Sequence, residues 1–289
     1  MLQPFPAFGG LEVLVAALDH PEGVALDPST GELVSAGEDG HVWRIDPEAR
    51  SVRDVARVPG QVLGVAVDGR GRIVACCSAD GSVRVIDTDR TVHELVRDVD
   101  GEPLDVPNYP SFGPDGSLYV SASGTWGAND GRIVRVDPDG GSETLTRRLD
   151  RFPNGSAVTP DGTALWVVES FSPTVNRVDL RPGGGVEVVA RLDGTVPDGV
   201  VLTDDGGLLV TCYRPDRIYH VDASGRVAIV ADDPQGTQLA APTNACFFGP
   251  GLDRLAVANL GRWHLTLLRT GLRGVPLHRP ERWAIDALL

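Results

Sequence analysis

Short apolar runs of four to seven residues alternate along this chain with clusters of Gly, Asp, Pro and Ser. In the first full set, residues 23–26 are small and apolar, and Asp27-Pro28-Ser29-Thr30-Gly31 follows as turn chemistry, Pro fixing φ and Gly free to adopt positive φ. Residues 32–36 predict a second strand, Glu38-Asp39-Gly40 a second turn, residues 41–45 a third strand and residues 52–58 a fourth. The pattern then recurs. Strands are expected at 64–67, 73–76, 83–86 and 92–96, and at 118–122, 133–136 and 143–149, with a swollen turn at 123–131. Three further sets follow: 164–169, 175–179 and 186–191; then 208–212, 217–221 and 227–231; then 255–259 and 265–269.

The residues opening the six sets are Glu22, Leu63, Asn108, Asn154, Asp198 and Asn244, at spacings of 41, 45, 46, 44 and 46. Four follow a proline directly: Pro21, Pro107, Pro153 and Pro197. Four short antiparallel strands every ~40–50 residues are the signature of a propeller blade. The pattern therefore predicts an all-β fold, a six-bladed β-propeller in one domain over residues 1–289. The sixth set lacks its fourth strand, and residues 11–17 are expected to supply it, closing the ring and covering a sheet edge. Residues 1–10, rich in Pro, Phe and Gly, should lie loosely on the surface, and no helix is expected outside 285–289.

Composition alters this picture little. With 42% hydrophobic and 23% charged residues the chain is ordinary for a folded soluble protein. A net charge of −14 argues against nucleic acid and against anionic membrane surfaces as partners, since both select basic proteins. No apolar run approaches ~18 residues and no basic leader precedes an apolar one, so a cytoplasmic, non-membrane protein is expected. Cys76, Cys77, Cys212 and Cys246 form no CxxC pair and read as buried thiols.

The repeat makes the opening residues chemically interesting. Inner strands of a propeller line its channel, so one offset repeated six times becomes a ring at one height. Five of its six members carry a side-chain oxygen and none is basic. Hard divalent cations take carboxylate and amide oxygens. Two carboxylates, Glu22 and Asp198, would balance the charge of one such ion, and the amides would add ligands without further charge.

These residues, in Pro21-Glu22-Gly23, Pro107-Asn108, Pro153-Asn154-Gly155 and Pro197-Asp198-Gly199, resemble the SMP-30/gluconolactonase/LRE-like family. The likeness covers all six repeats and reaches residues 274–280. It implies one divalent cation, calcium by preference with Zn2+, Mg2+ and Mn2+ as alternatives, held by Glu22, Asn154 and Asp198 with Asn108 as a further ligand or substrate contact. It also implies hydrolysis of a small lactone or related ester. Val106 stands where the family's gluconate-type lactonases usually carry Arg two residues before this Asn, which points to a less polar substrate. In this reading Asp198 acts as general base or nucleophile. Asn108, Tyr109, Trp126, Asn244, Glu169 and His20 are candidates to contact a small-molecule substrate, with Tyr213, Trp263 and His264 behind them. Two alternatives stay open. One is a non-hydrolytic or metal-free enzyme on the same fold, such as an isomerase or a strictosidine-synthase-like protein. The other is a binding or scaffold propeller, although the Gly-His and Trp-Asp marks of WD40 blades are absent.

Overall fold

Six four-stranded antiparallel sheets account for nearly all of residues 9–287, the residues described by the computed structural model. Their inner strands are Gly23–Asp27, Val62–Val67, Pro107–Phe112, Pro153–Val158, Val196–Leu202 and Pro242–Phe248. Each inner strand contacts those of the two flanking blades, and the sixth returns to the first. The molecule is a six-bladed propeller with these strands around its channel. Every inner strand starts at the same end of the channel, here called the mouth. No helix among the described residues is long and apolar enough to cross a membrane.

Successive strand residues face opposite neighbouring blades, which is how apolar runs become the core between blades. Cys76 packs in a cluster with Phe112 and Leu118 of the third blade, whereas Cys77 packs with Val34 and Val42 of the first. All four cysteines are buried and free, and burial pushes the Cys77 thiol up to about 12. Most strand limits lie within one or two residues of expectation. The outer strand of the third blade, Ser142–Thr146, stops short of residue 149. Leu149 leaves the sheet edge and is buried with Ile133, Val158 and Leu165 between two blades. A two-residue hairpin, Asp98–Val99 with Glu102–Pro103, lies between the second and third blades and was not expected.

The sixth blade is completed from the other end of the chain. Gly9–Ala16 pairs antiparallel with His264–Arg269, setting Glu12 opposite Leu267 and Val15 opposite Leu265. Gly10 therefore belongs to a strand and not to a loose leader, because the exposed edge of His264–Arg269 takes it as a partner. Residues 1–8 of the expected leader lie outside the described residues. Leu14, Val15 and Leu18 are buried with Phe248, Leu265 and Leu267.

After the last blade the chain crosses the far end of the channel as a strap. Gly274 bridges to Thr203, His278 meets the Thr159 carbonyl at 2.9 Å, and Arg279 reaches Asp27 at 3.1 Å. Trp283 donates its indole N–H to Asp68 and packs edge-on against Phe112. The end of this segment is a 3₁₀ turn, Ala284–Ala287, and the rest of the helix expected at 285–289 falls outside the described residues.

Candidate functional site

The six opening residues meet at one level of the channel, and glycine is the reason they come so close. A Cβ on Gly155 would lie 2.5 Å from the Asp198 carbonyl oxygen, and one on Gly199 would lie 2.5 Å from that of Thr243. At Gly23 the obstruction would be the Leu63 carbonyl, and at Gly64 that of Asn108. These glycines serve close backbone approach, with no need of positive φ. Asn244 completes the circuit, its amide N–H donating to the Glu22 carbonyl at 3.2 Å. In five blades the pairing of inner and second strand also shifts at this level, between Val62 and Val65, Pro107 and Tyr109, Pro153 and Ser156, Pro197 and Val200, and Pro242 and Ala245. Such bulges re-aim a side chain locally.

Glu22, Asn108, Asn154, Asp198 and Asn244 are all buried. Four of their oxygens have no hydrogen-bond partner: Glu22 Oε2, Asn108 Oδ1, Asn154 Oδ1 and Asp198 Oδ1. Buried polar atoms are nearly always paired, so four orphans on one ring demand an explanation. Burial pushes Asp198 up to about 7, an effect the Asn154 amide partly offsets. Burial and the Asp198 carboxylate together hold Glu22 well above the ordinary carboxylate range, opposed by Thr243. No basic side chain is among these influences. The donors are two carboxylates and two amides, an oxygen set that suits a hard divalent cation. No group of three or more His, Cys, Asp or Glu that could hold a metal occurs among the described residues, because here half the donors are Asn. Asn244 has its amide N–H committed to ring closure, and Leu63 brings no donor.

Hydroxyl groups fix this geometry, and the sequence reading missed them. Ser121 donates to the Asn154 carbonyl at 2.6 Å, Ser123 to that of Pro153 at 2.7 Å and Ser170 to that of Pro197 at 2.7 Å. Thr211 donates to the Thr243 carbonyl, and Thr243 to that of Glu22 at 2.8 Å. Each ties one blade to the start of the next inner strand. Ser170 also accepts from Asn154 Nδ2 at 3.2 Å, which leaves Asn154 Oδ1 free. A Ser or Thr near the mouth end of the second strand was the available signal.

The SMP-30/gluconolactonase/LRE-like family model matches residues 21–260, the whole span from the first ring residue to the end of the sixth blade's second strand. The chain belongs to that family. Among its relatives is the lactonase drp35 of Staphylococcus saprophyticus, 23% identical over 253 residues, covering 82% of this chain and 77% of that one. Solved structures with the same fold include a gluconolactonase from Xanthomonas campestris, at a TM-score of 0.77 and 22% identity over 92% of this chain and 91% of that one. A calcium-binding protein, regucalcin, from Agrobacterium tumefaciens also gives 0.77, at 19% identity over 96% and 97% of the two chains.

Around the mouth of this SMP-30/gluconolactonase/LRE-like propeller the backbone is strained at four corners. His20, Val106, Phe152 and Ala241 have φ of 40°, 51°, 62° and 49°, each immediately before a proline that leads into an inner strand. Positive φ is uncommon outside glycine and an outlier for a β-branched residue such as Val106, and such strain gathers at functional sites. His20 lies 3.2 Å from Glu38 and 3.3 Å from Asp19, with its ring 5.4 Å from Trp263. Trp126 is at the mouth on Phe152 and Phe171. Glu169 is buried, which raises its carboxyl, but it accepts from the Arg151 N–H at 2.9 Å and the Thr174 hydroxyl, bracing the corner before Asn154 and not joining the ring. His264 is a packing residue whose ring meets the Gln238 carbonyl.

Tyr109 is set apart from the other candidates. It lines a cavity of about 730 Å³ on the far side of the ring, walled by Val24, Val65, Phe112, Val158 and Phe247 and bordered by the strap at 275–279. None of the ring residues with free oxygens lines this space. It holds none of the orphaned polar chemistry, which sits at the mouth.

Proposed function

We propose that this protein is a divalent-cation-dependent hydrolase of small lactones, with Glu22, Asn108, Asn154 and Asp198 holding the cation and calcium the first choice. The four orphaned oxygens carry the reading: two buried carboxylates and two amides of one ring keep an oxygen without a partner, and no basic residue is among the influences on the carboxylates. The family supports hydrolysis, since lactonase and gluconolactonase occur among the names of its members. A bound divalent ion would supply Lewis acidity toward a carbonyl and offset the two carboxylates.

The chain's own residues supply the rest. Asp198 accepts a proton from the attacking water as the water oxygen bonds to the carbonyl carbon. It returns that proton to the ring oxygen as the acyl carbon–oxygen bond breaks, giving a hydroxy acid. Glu22 is the fixed second charge. Asn154, with its Nδ2 committed to Ser170, keeps its oxygen toward the channel. Asn108, on the neighbouring inner strand, would add its side-chain amide to the groups that stabilise the developing oxyanion.

The test is metal content after gentle purification, followed by proton release against a lactone panel. The wild type should carry about one equivalent of divalent cation, and Asp198→Asn or Glu22→Gln should retain much less. Asp198→Asn should also lower kcat by roughly 10²–10⁴, as expected for loss of a general base. No metal and no thermal shift with added Ca2+, Zn2+, Mg2+ or Mn2+ would refute the cation site. A loaded protein inactive on every lactone would refute the hydrolase.

A further inference from the structure

We propose that the substrate carries an apolar alkyl or aryl substituent, held at the mouth by Trp126, Phe152 and Phe171; this rests on the lactonase reading above. Trp126 is 65% exposed, in the loop that swells the third blade. Its ring stands edge-on to Phe152 at 4.9 Å and to Phe171 at 4.6 Å, and those two meet each other at 5.5 Å. Three rings at 74–83° to one another make a stiff platform, in which buried Phe152 backs the exposed Trp126. The loop beneath is fastened too. Thr125 N–H donates to Asp130 at 2.9 Å, and Gly131 is pressed so closely on Pro153 that no Cβ would fit.

The platform is wired to the ring. Phe152 occupies the strained corner directly before Pro153-Asn154. Phe171 N–H donates to the Arg151 carbonyl at 3.1 Å and follows Ser170, which bonds both Asn154 and the carbonyl preceding Asp198. A lactone with its carbonyl at Asn154 and Asp198 would therefore present its substituent to these rings.

Aromatic faces alone do not separate an alkyl group from a sugar, since both can lie on tryptophan. The polar groups decide. Recognising several hydroxyls requires donors and acceptors that are still free, and a hydroxyl buried without one is strongly disfavoured. Here Ser121, Ser123, Ser170 and Thr211 are committed to backbone carbonyls, and Glu169 to Arg151 and Thr174. Beside the open face of Trp126 stand two phenyl rings. The unpartnered donor beside these rings, Arg151 Nε, is itself buried, so a polyhydroxylated substituent would meet ring faces where it needs polar partners.

The experiment compares γ-lactones that differ only in substituent: none, butyl, hexyl, phenyl, or a hydroxylated chain. In the wild type kcat/KM should rise by up to about fourfold per methylene, the burial value, until the platform is covered. The hexyl-to-unsubstituted ratio of kcat/KM should fall at least tenfold in Trp126→Ala and partly in Trp126→Phe, chiefly through KM. Val188→Ala, at an exposed apolar residue on the outer strand of the fourth blade, should keep the ratio within twofold. Hexyl- and phenyl-tetrahydrofuran, which have no carbonyl, should perturb tryptophan fluorescence in Trp263→Phe and fail to do so once Trp126 is also replaced. This binding readout stands even if no lactone is turned over, so failure of the hydrolase is told apart from failure of the platform. Preference for the hydroxylated lactone, or an alkyl preference unchanged in Trp126→Ala, would overturn the proposal.

Discussion

Asp198 and Glu22 are two carboxylates buried within each other's influence, and without a cation the ring can hold them only by taking up protons. This gives the metal-free protein a definite response to pH. Asp198 is raised to about 7 when folded, against roughly 4 when unfolded. Between those values the native state holds a proton that the unfolded state has lost, so stability falls as pH rises. Thermal melts of chelated protein should therefore show Tm decreasing from pH 5 to 7.5. Asp198→Asn should reduce that slope, leaving the part that buried Glu22 contributes, and added Ca2+ should abolish it in the wild type by stabilising the charged form. A Tm that rises over this range would contradict the burial assigned to Asp198. At this scale the ring was legible because a repeated offset in a propeller becomes a circle. What could not be read was the division of labour between amides. Asn108 keeps a free oxygen while Asn244 turns its N–H to the Glu22 carbonyl, and that choice is made by a neighbouring blade. The placement of Tyr109 below the ring was equally hidden, since it depends on the local shift in strand pairing.

At the level of single strands, the glycines and hydroxyls at the mouth act as spacers and fasteners between blades. Gly155→Ala should force the fourth and fifth inner strands apart and cost roughly 1–3 kcal/mol in chemical denaturation, as overpacking does. It should weaken cation affinity as well, because Asn154 and Asp198 flank the contact. Ser170→Ala should lower Tm by a few degrees, since the Pro197 carbonyl loses a buried partner, and reduce cation affinity by more, roughly 10–100-fold in calcium titration, the usual effect of losing a group that orients a ligand. Equal losses of affinity and stability in Ser170→Ala would mean that the hydroxyl is a blade fastener alone. The strands themselves were readable from alternating apolar runs bounded by turn residues. Ser170 and Thr211 were not singled out, because a hydroxyl at a strand end looks the same in sequence whether it faces water or the next blade.

Across the molecule, closure depends on two segments from opposite ends of the chain. The N-terminal strand completes the sixth blade, and the C-terminal strap crosses the far end of the channel against the first five blades. Trp283 anchors that strap between the second and third blades and is almost fully buried. Trp283→Ala should cost about 3–5 kcal/mol, measured in urea, as large aromatic deletions from a core do. The cation affinity of the folded fraction should survive, since the ring is at the other end of the channel. Loss of affinity in step with stability would mean that the two ends are coupled.

The closure of the first blade against the sixth has a consequence for synthesis. Glu22 leaves the ribosome more than two hundred residues before Thr243 and Asn244, the residues that fix its backbone. Early blades can fold as they emerge, but a nascent chain that has made Glu22, Asn108, Asn154 and Asp198 still lacks the sixth blade that locks them in register. The ring is thus completed only once the sixth blade has been made. Chains terminated before Thr243 should bind no cation tightly, so that a tightly held ion would mark a ring that has closed.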